Sequence, residues 1–261
     1  MNNFKLEISA ITDIGNTRKH NEDNFFVNDF FVSFSQANNG FCFHETLYSP
    51  LVAGISDGMG GEKSGEEASL TVASNCYKNI RKNNDDDCKN KLLNCILTLN
   101  QKVCNSIPNS GATLAMVYAH DKKITAASIG DSRIYLYSKG VLNLLTTDHT
   151  MAQFHIDSGL MSKKQAKESK LRHILTQHIG IPSDEMIIEP TVFEIENLAD
   201  GDCILICSDG LTDVTEDSEI EQIFSKNSDV TPISEQLVSC ALNNSSTDNI
   251  TVMVIKIIND G

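Results

Sequence analysis

The chain predicts an α+β fold in which antiparallel sheets are covered by helices. Three observations lead there. Short apolar runs of strand length recur from one end of the chain to the other. They come in blocks, separated by helix-period segments, with few strand–helix–strand units. No internal repeat or proline-rich linker interrupts the 261 residues, so one domain over 1–261 is expected.

The elements follow in order. Phe4, Leu6, Ile8 and Ala10 alternate with polar residues, the pattern of a half-buried strand. The segment from Asp29 to Pro50 carries Phe30, Phe31, Phe34, Phe41 and Phe43, and predicts an extended hairpin with the polar turn SQANNG. Leu51 to Ile55 is a short buried strand. Between Glu66 and Lys82, Ala73, Cys76, Tyr77 and Ile80 fall at helical spacing. Asn83 to Asp87 is a solvated break, and Leu92, Ile96, Leu99 and Val103 form the stripe of a second helix. Strands follow at TLAMVYA from Thr113, ITAASI from Ile124 and RIYLYS from Arg133. The stretch Thr147 to Gly180 is polar and partly helical, with Ser162 and Gln165 spaced for a capping box. Late strands are IIEPTVFEI, CILIC and ITVMVIKI, with helices near Glu219–Phe224 and Ile233–Leu242 before the last.

Composition narrows the function. The net charge of −14 would repel a nucleic-acid backbone, so no nucleic-acid partner is expected. No segment approaches the ~18 apolar residues of a membrane helix. The start MNNFKLEISA lacks a basic end and an apolar run, so it is no signal peptide. Eight scattered cysteines without a CxxC pair predict free thiols in a reducing cytoplasm, with Cys203 and Cys207 as small core residues.

Five acidic motifs sit at strand ends or in turns. They are N-E-D (21–23), S-D-G-M-G-G (56–61), G-D-S-R (130–133), S-D-G-L (208–211) and T-D-N (247–249). Each alone reads as a turn. Three apolar strands that end in an aspartate, LVAGISD, ITAASIGD and CILICSD, suggest more. Carboxylates gathered at one sheet edge repel each other unless a cation lies between them. An oxygen-only set suits Mg²⁺ or Mn²⁺ rather than zinc.

The order of motifs resembles the type 2C metal-dependent protein phosphatases, the PPM family, in their compact bacterial form. The matching stretches are TDIGNTRKHNED (12–23), LVAGISDGMGGEKSGEEAS (51–69), GATLAMV (111–117), ASIGDSRIYLY (127–137), LTTDHT (145–150), GDCILICSDGLTD (201–213) and STDNITVMVI (246–255). The resemblance implies a sandwich of two antiparallel sheets flanked by helix pairs, with a helical flap at about 147–180 beside a metal cleft. It implies hydrolysis of phosphoserine and phosphothreonine by a hydroxide that two divalent cations, Mn²⁺ or Mg²⁺, activate. Asp57 would bridge the cations and Gly58 would offer its carbonyl to one. Asp209 and Asp248 would hold the second, and Glu22 the first, directly or through water. Asp23 would brace Arg18, whose planar fork would bind the phosphate. Asp131 would share a third, weaker cation with Asp209. Arg133 would brace the G-D-S-R turn by pairing with a carboxylate.

The chain also departs from the family pattern. Met59 stands where many eukaryotic relatives have a histidine proposed to protonate the leaving group, so the general acid is unassigned. His149 reads as a structural histidine capping a turn. Ser169, Lys170 and His173 replace residues common in the flap. The expected partners are phosphorylated proteins, substrates of a Ser/Thr kinase, met by a cytoplasmic monomer. Two other readings stay open: a catalytically silent phosphatase-fold regulator, and a phosphatase of small phosphate esters.

Overall fold

The computed structural model describes residues 4–60 and 64–258; Gly61 of the S-D-G-M-G-G motif lies outside them. The chain opens with strands β1 (Lys5–Asp13), β2 (Asp23–Val27) and β3 (Phe30–Phe31), helix α1 (Phe34–Asn39), and strands β4 (Phe41–Tyr48) and β5 (Leu51–Met59). The helix pair α2 (Ser64–Lys82) and α3 (Cys88–Ser106) comes next. Strands β6 (Gly111–Ala112), β7 (Leu114–His120), β8 (Lys123–Ile129), β9 (Arg133–Ser138) and β10 (Val141–Leu144) follow. The flap holds α4 (Met151–Asp157), α5 (Lys163–Glu168) and a 3-10 turn at Lys170–His173. Strand β11 (Thr191–Ile195), strand β12 (Cys203–Cys207), helices α6 (Asp209–Thr212), α7 (Asp217–Lys226) and α8 (Val230–Asn243), and strand β13 (Ile250–Ile258) complete the order.

The strands form two sheets, ordered β10-β9-β12-β13-β1-β4 and β11-β8-β7-β5-β2-β3, with β6 paired to β5. Every pairing is antiparallel. The inner faces meet in one apolar layer that includes Ile8, Phe25, Ile55, Val117, Ile204 and Met253. The outer face of the second sheet buries Met116 and Ile129 against Val72, Ile96 and Leu99 of α2 and α3. The outer face of the first sheet buries Leu205 and Val254 against Ile220 and Leu237 of α7 and α8. Because helices cover both outer faces, β12 is buried at every position. That explains the uninterrupted apolar run CILIC, in which Cys203 and Cys207 pack as core residues.

Local signals account for the helix ends. Asp87 caps α3 by accepting from the Lys89 amide. Ser162 and Gln165 form the expected capping box of α5. The covered sandwich also changes β1: Ser9, although polar, is buried, and its hydroxyl meets that of Ser234 on α8 at 2.6 Å.

Two expectations need correction. The segment 29–50 is not a hairpin. The residues read as its polar turn form most of α1, which Ser33 starts with a second capping box through Gln36. The two flanking strands then join different sheets, β3 beside β2 and β4 beside β1. Phe30, Phe41 and Phe43 pack into the layer between the sheets, with Phe30 stacked on Phe41 at 5.6 Å; Phe31 joins the cluster under α2 and α3, and Phe34 is exposed. The strand expected at IIEPTVFEI begins only at Thr191; Ile187 is 76% exposed.

Candidate active site

The carboxylates singled out in the sequence arrive at one end of the sandwich. Glu22 precedes β2, Asp57 lies near the end of β5, and Asp131 follows β8, all in one sheet. Asp209 follows β12 and Asp248 precedes β13, in the other sheet. Antiparallel pairing sets the end of one strand beside the start of the next, so these residues share an edge. They line a cleft of about 500 Å³ together with Arg18, Lys19, His20, Gly58, Met59 and His173.

Backbone contacts fix the centre. The Asp57 amide donates to Thr113 Oγ1 at 3.0 Å, and the Thr113 amide donates back to the Asp57 carbonyl at 2.8 Å. Gly58 donates its amide to the Glu22 carbonyl at 3.1 Å. The glycine is required by packing: a Cβ there would lie 2.1 Å from the Gly65 carbonyl oxygen, at the start of α2.

Electrostatics mark the cluster as short of positive charge. Burial, then repulsion from Asp23 and Asp209, raises the Asp57 carboxyl well above the usual range. Burial, then Asp131 and Asp248, does the same for Asp209. Burial and Asp148 push Asp131 up to about 7. One cation within the cluster is paired: Arg18 Nη2 donates to Asp248 Oδ2 at 2.6 Å.

That pair corrects a further expectation. Asp23 does not brace Arg18. It stands beside Asp57 in the β2–β5 register, 2% exposed, and accepts from Ser208 Oγ at 2.7 Å. Asp23 is therefore a buried neighbour of Asp57 on the adjoining strand. Arg133 pairs with a carboxylate as expected, reaching both oxygens of Asp148. His149 accepts from the Gly130 amide through Nδ1 at 3.2 Å, which fits the turn-capping reading. Burial lowers its pKa, which keeps the ring neutral. The histidines that line the cleft are instead His20 and His173.

Sequence reasoning quoted Asn249 but gave it no part. Its side chain donates to the carbonyls of Ile14 and His20 and accepts from the Glu22 amide, so it clamps the loop that carries Arg18. It also left Asp213 without a role. A second cavity of about 390 Å³ lies under the flap and shares Asp131 and Asp209 with the cleft. His173 from the first cleft, with Asp209 and Asp213 of the second cavity, brings possible ligand atoms within 4.8 Å of one another. Arg172 and His173 both approach Asp213 Oδ2 at 3.5 Å, tying the flap to α6.

The model of the protein phosphatase 2C family matches residues 37–251. The protein phosphatase PhpP of Streptococcus pneumoniae is 29% identical over 260 residues, covering 96% of this chain and 97% of that protein. The crystal structure of the serine/threonine phosphatase Stp1 from Staphylococcus aureus superposes with a TM-score of 0.81 at 27% identity, over 97% of this chain and 95% of that one. The catalytic domain of the serine/threonine protein phosphatase PstP, solved in complex with two manganese ions, has a TM-score of 0.75 at 25% identity, over 98% and 99% of the two chains. The family model spans most of the chain, and the chain belongs to the protein phosphatase 2C family.

Proposed function

We propose that this chain is a metal-dependent phosphatase that hydrolyses phosphoserine and phosphothreonine in other proteins. The carrying observation is the cleft itself: Glu22, Asp57, Asp209 and Asp248 converge there beside one arginine, and burial and mutual repulsion hold Asp57 and Asp209 above the ordinary carboxylate range. Such a set fits divalent cations, since added positive charge removes that strain. Oxygen donors select Mn²⁺ or Mg²⁺. Two manganese ions in the related PstP domain support the same reading.

Asp57 and the Gly58 carbonyl would hold the first cation with Glu22 beside them, and Asp57 would share itself with the second, held by Asp209 and Asp248. Asp131 would serve a third, weaker cation with Asp209. When bound, the cations neutralise phosphoryl oxygens and make water acidic enough to act as a nucleophile near neutral pH. The chain's own residues then position the substrate. Arg18 is 44% exposed at the cleft and offers N–H donors beyond the one held by Asp248. Its planar fork suits two phosphate oxygens at once. Thr113 holds the Asp57 backbone, and Asp23, anchored by Ser208, stands beside Asp57 in the β2–β5 register.

The whole chain acts as one catalytic domain and one copy carries every residue of the site, so a monomer suffices. Its substrates are the products of a Ser/Thr kinase, and the relatives named as protein phosphatases favour phosphoproteins over small esters. Phosphate release from phosphothreonine peptides and from p-nitrophenyl phosphate, with Mn²⁺ and with a chelator, tests this. Turnover that needs Mn²⁺ and prefers the peptides is expected. Undiminished turnover in chelator would overturn the metal reading, and hydrolysis of the small ester alone would overturn the protein substrate.

A further inference from the structure

Glu66 lies in the first turn of α2, outside every role given above. It is 8% exposed, and its Oε1 is buried without a hydrogen-bond partner among the described residues. Among the described residues, His20 Nδ1 lies 3.3 Å from Oε1 without forming a hydrogen bond. Other packing against this turn brings more negative charge. A Cβ on Gly65 would stand 2.7 Å from Glu22 Oε1, and one on Gly58 would stand 2.1 Å from the Gly65 carbonyl. Glu22, Gly58 and the first turn of α2 are therefore one packed layer. Within it the Glu66 charge adds to the causes that raise the Glu22 carboxyl, after burial and with Asp248.

A carboxylate buried without a donor is unfavourable, and a helix N-terminus relieves only part of that penalty. A buried Glu66 oxygen that lacks a donor, packed beside Glu22 and Gly58, calls for a positive centre with its water. We propose that Glu66 is a positioning residue for the first cation, accepting hydrogen bonds from the water that this cation holds beside Glu22 and Gly58. The proposal rests on the metal-dependent reading of the cleft. Glu66 does not line the cleft, which places it behind the cation's direct ligands rather than among them.

The test compares wild type, Glu66→Gln and Glu66→Asp by calorimetric Mn²⁺ titration and by melting with Mn²⁺ and with chelator. Loss of a group that orients metal ligands or their water weakens binding by roughly 10–100-fold. Glu66→Gln is expected to weaken one tight Mn²⁺ event by that factor and leave the other intact. It should also melt higher than wild type in chelator, because no uncompensated charge is then buried, so its rise in Tm on adding Mn²⁺ is smaller. Glu66→Asp keeps the charge on a shorter stem and should weaken the same event without the gain in chelator. Unchanged Mn²⁺ affinity in Glu66→Gln, with a lower Tm in both conditions, would make Glu66 a partner of His20 and the helix end only. Absence of Mn²⁺ binding to wild type would instead overturn the metal reading, and this inference with it.

Discussion

Asp57 and Asp209 stand at the ends of strands from opposite sheets, and the fold drives them together against their mutual repulsion. Asp57→Asn and Asp209→Asn should therefore abolish Mn²⁺-dependent turnover while raising the Tm of the chelated protein, a combination that melting and phosphate release read separately. Arg18→Ala should cost about 2–3 kcal/mol in kcat/KM, the scale of a lost charged hydrogen bond. Arg18→Lys should recover only part, since a point charge replaces a fork. Asp131 yields a pH signature. Burial pushes its carboxyl up to about 7, so the folded, metal-free protein holds this proton more tightly than the unfolded chain. Stability from this group is intact at low pH and falls as pH rises from the ordinary carboxylate range toward 7. In chelator, Asp131→Asn should match wild type near the bottom of that window and melt increasingly higher above it. A constant difference across pH would assign Asp131 a purely steric part. In Mn²⁺ titrations Asp131→Ala should lose a weak event and keep the tight ones.

At the scale of elements, the site depends on how loops are pinned to strands. The loop between β1 and β2 carries Arg18 and Glu22, and Asn249 at the start of β13 holds it by bonds to Ile14, His20 and Glu22. Asn249 is 3% exposed, so truncation leaves those backbone groups without their partner. Asn249→Ala should cost about 1–3 kcal/mol of stability for each buried group left unpaired. It should also raise KM more than it lowers kcat, because Arg18 loses its fixed position; equal effects on both would argue against the clamp. The segment 29–50 shows why such contacts escape sequence reading. Phenylalanines at Phe30, Phe31, Phe41 and Phe43 suit one hairpin, yet a single capping box at Ser33 and Gln36 turns the chain from one sheet to the other. Position 23 shows the same limit. Its neighbour Arg18 is close in sequence, but Asp23 finds Ser208 and Arg18 finds Asp248, each across roughly the length of the chain.

For the whole molecule, stability and chemistry reside in different layers. The core between the sheets lies away from the acidic edge, so Ile204→Ala, at a fully buried position, should cost about 2–5 kcal/mol. Each kcal/mol should lower Tm by roughly 2–4 °C, while the folded enzyme keeps its Mn²⁺-dependent kcat at low temperature. A matching loss of kcat would show that core and edge are coupled.

The covered α+β architecture, most helices and strands, and the set of aspartates at strand ends are legible in the sequence. Each of these rests on local pattern: hydrophobic period, capping residues and motif order act within a few residues of where they are written. Packing across the fold settles which sheet each flanking strand joins, which carboxylate holds Arg18, that Asn249 clamps the Arg18 loop, and that Glu66 is buried without a donor among the described residues. Those facts depend on side chains from distant segments meeting at one edge. A residue's partner and its burial are properties of the packed whole, and no local window contains them.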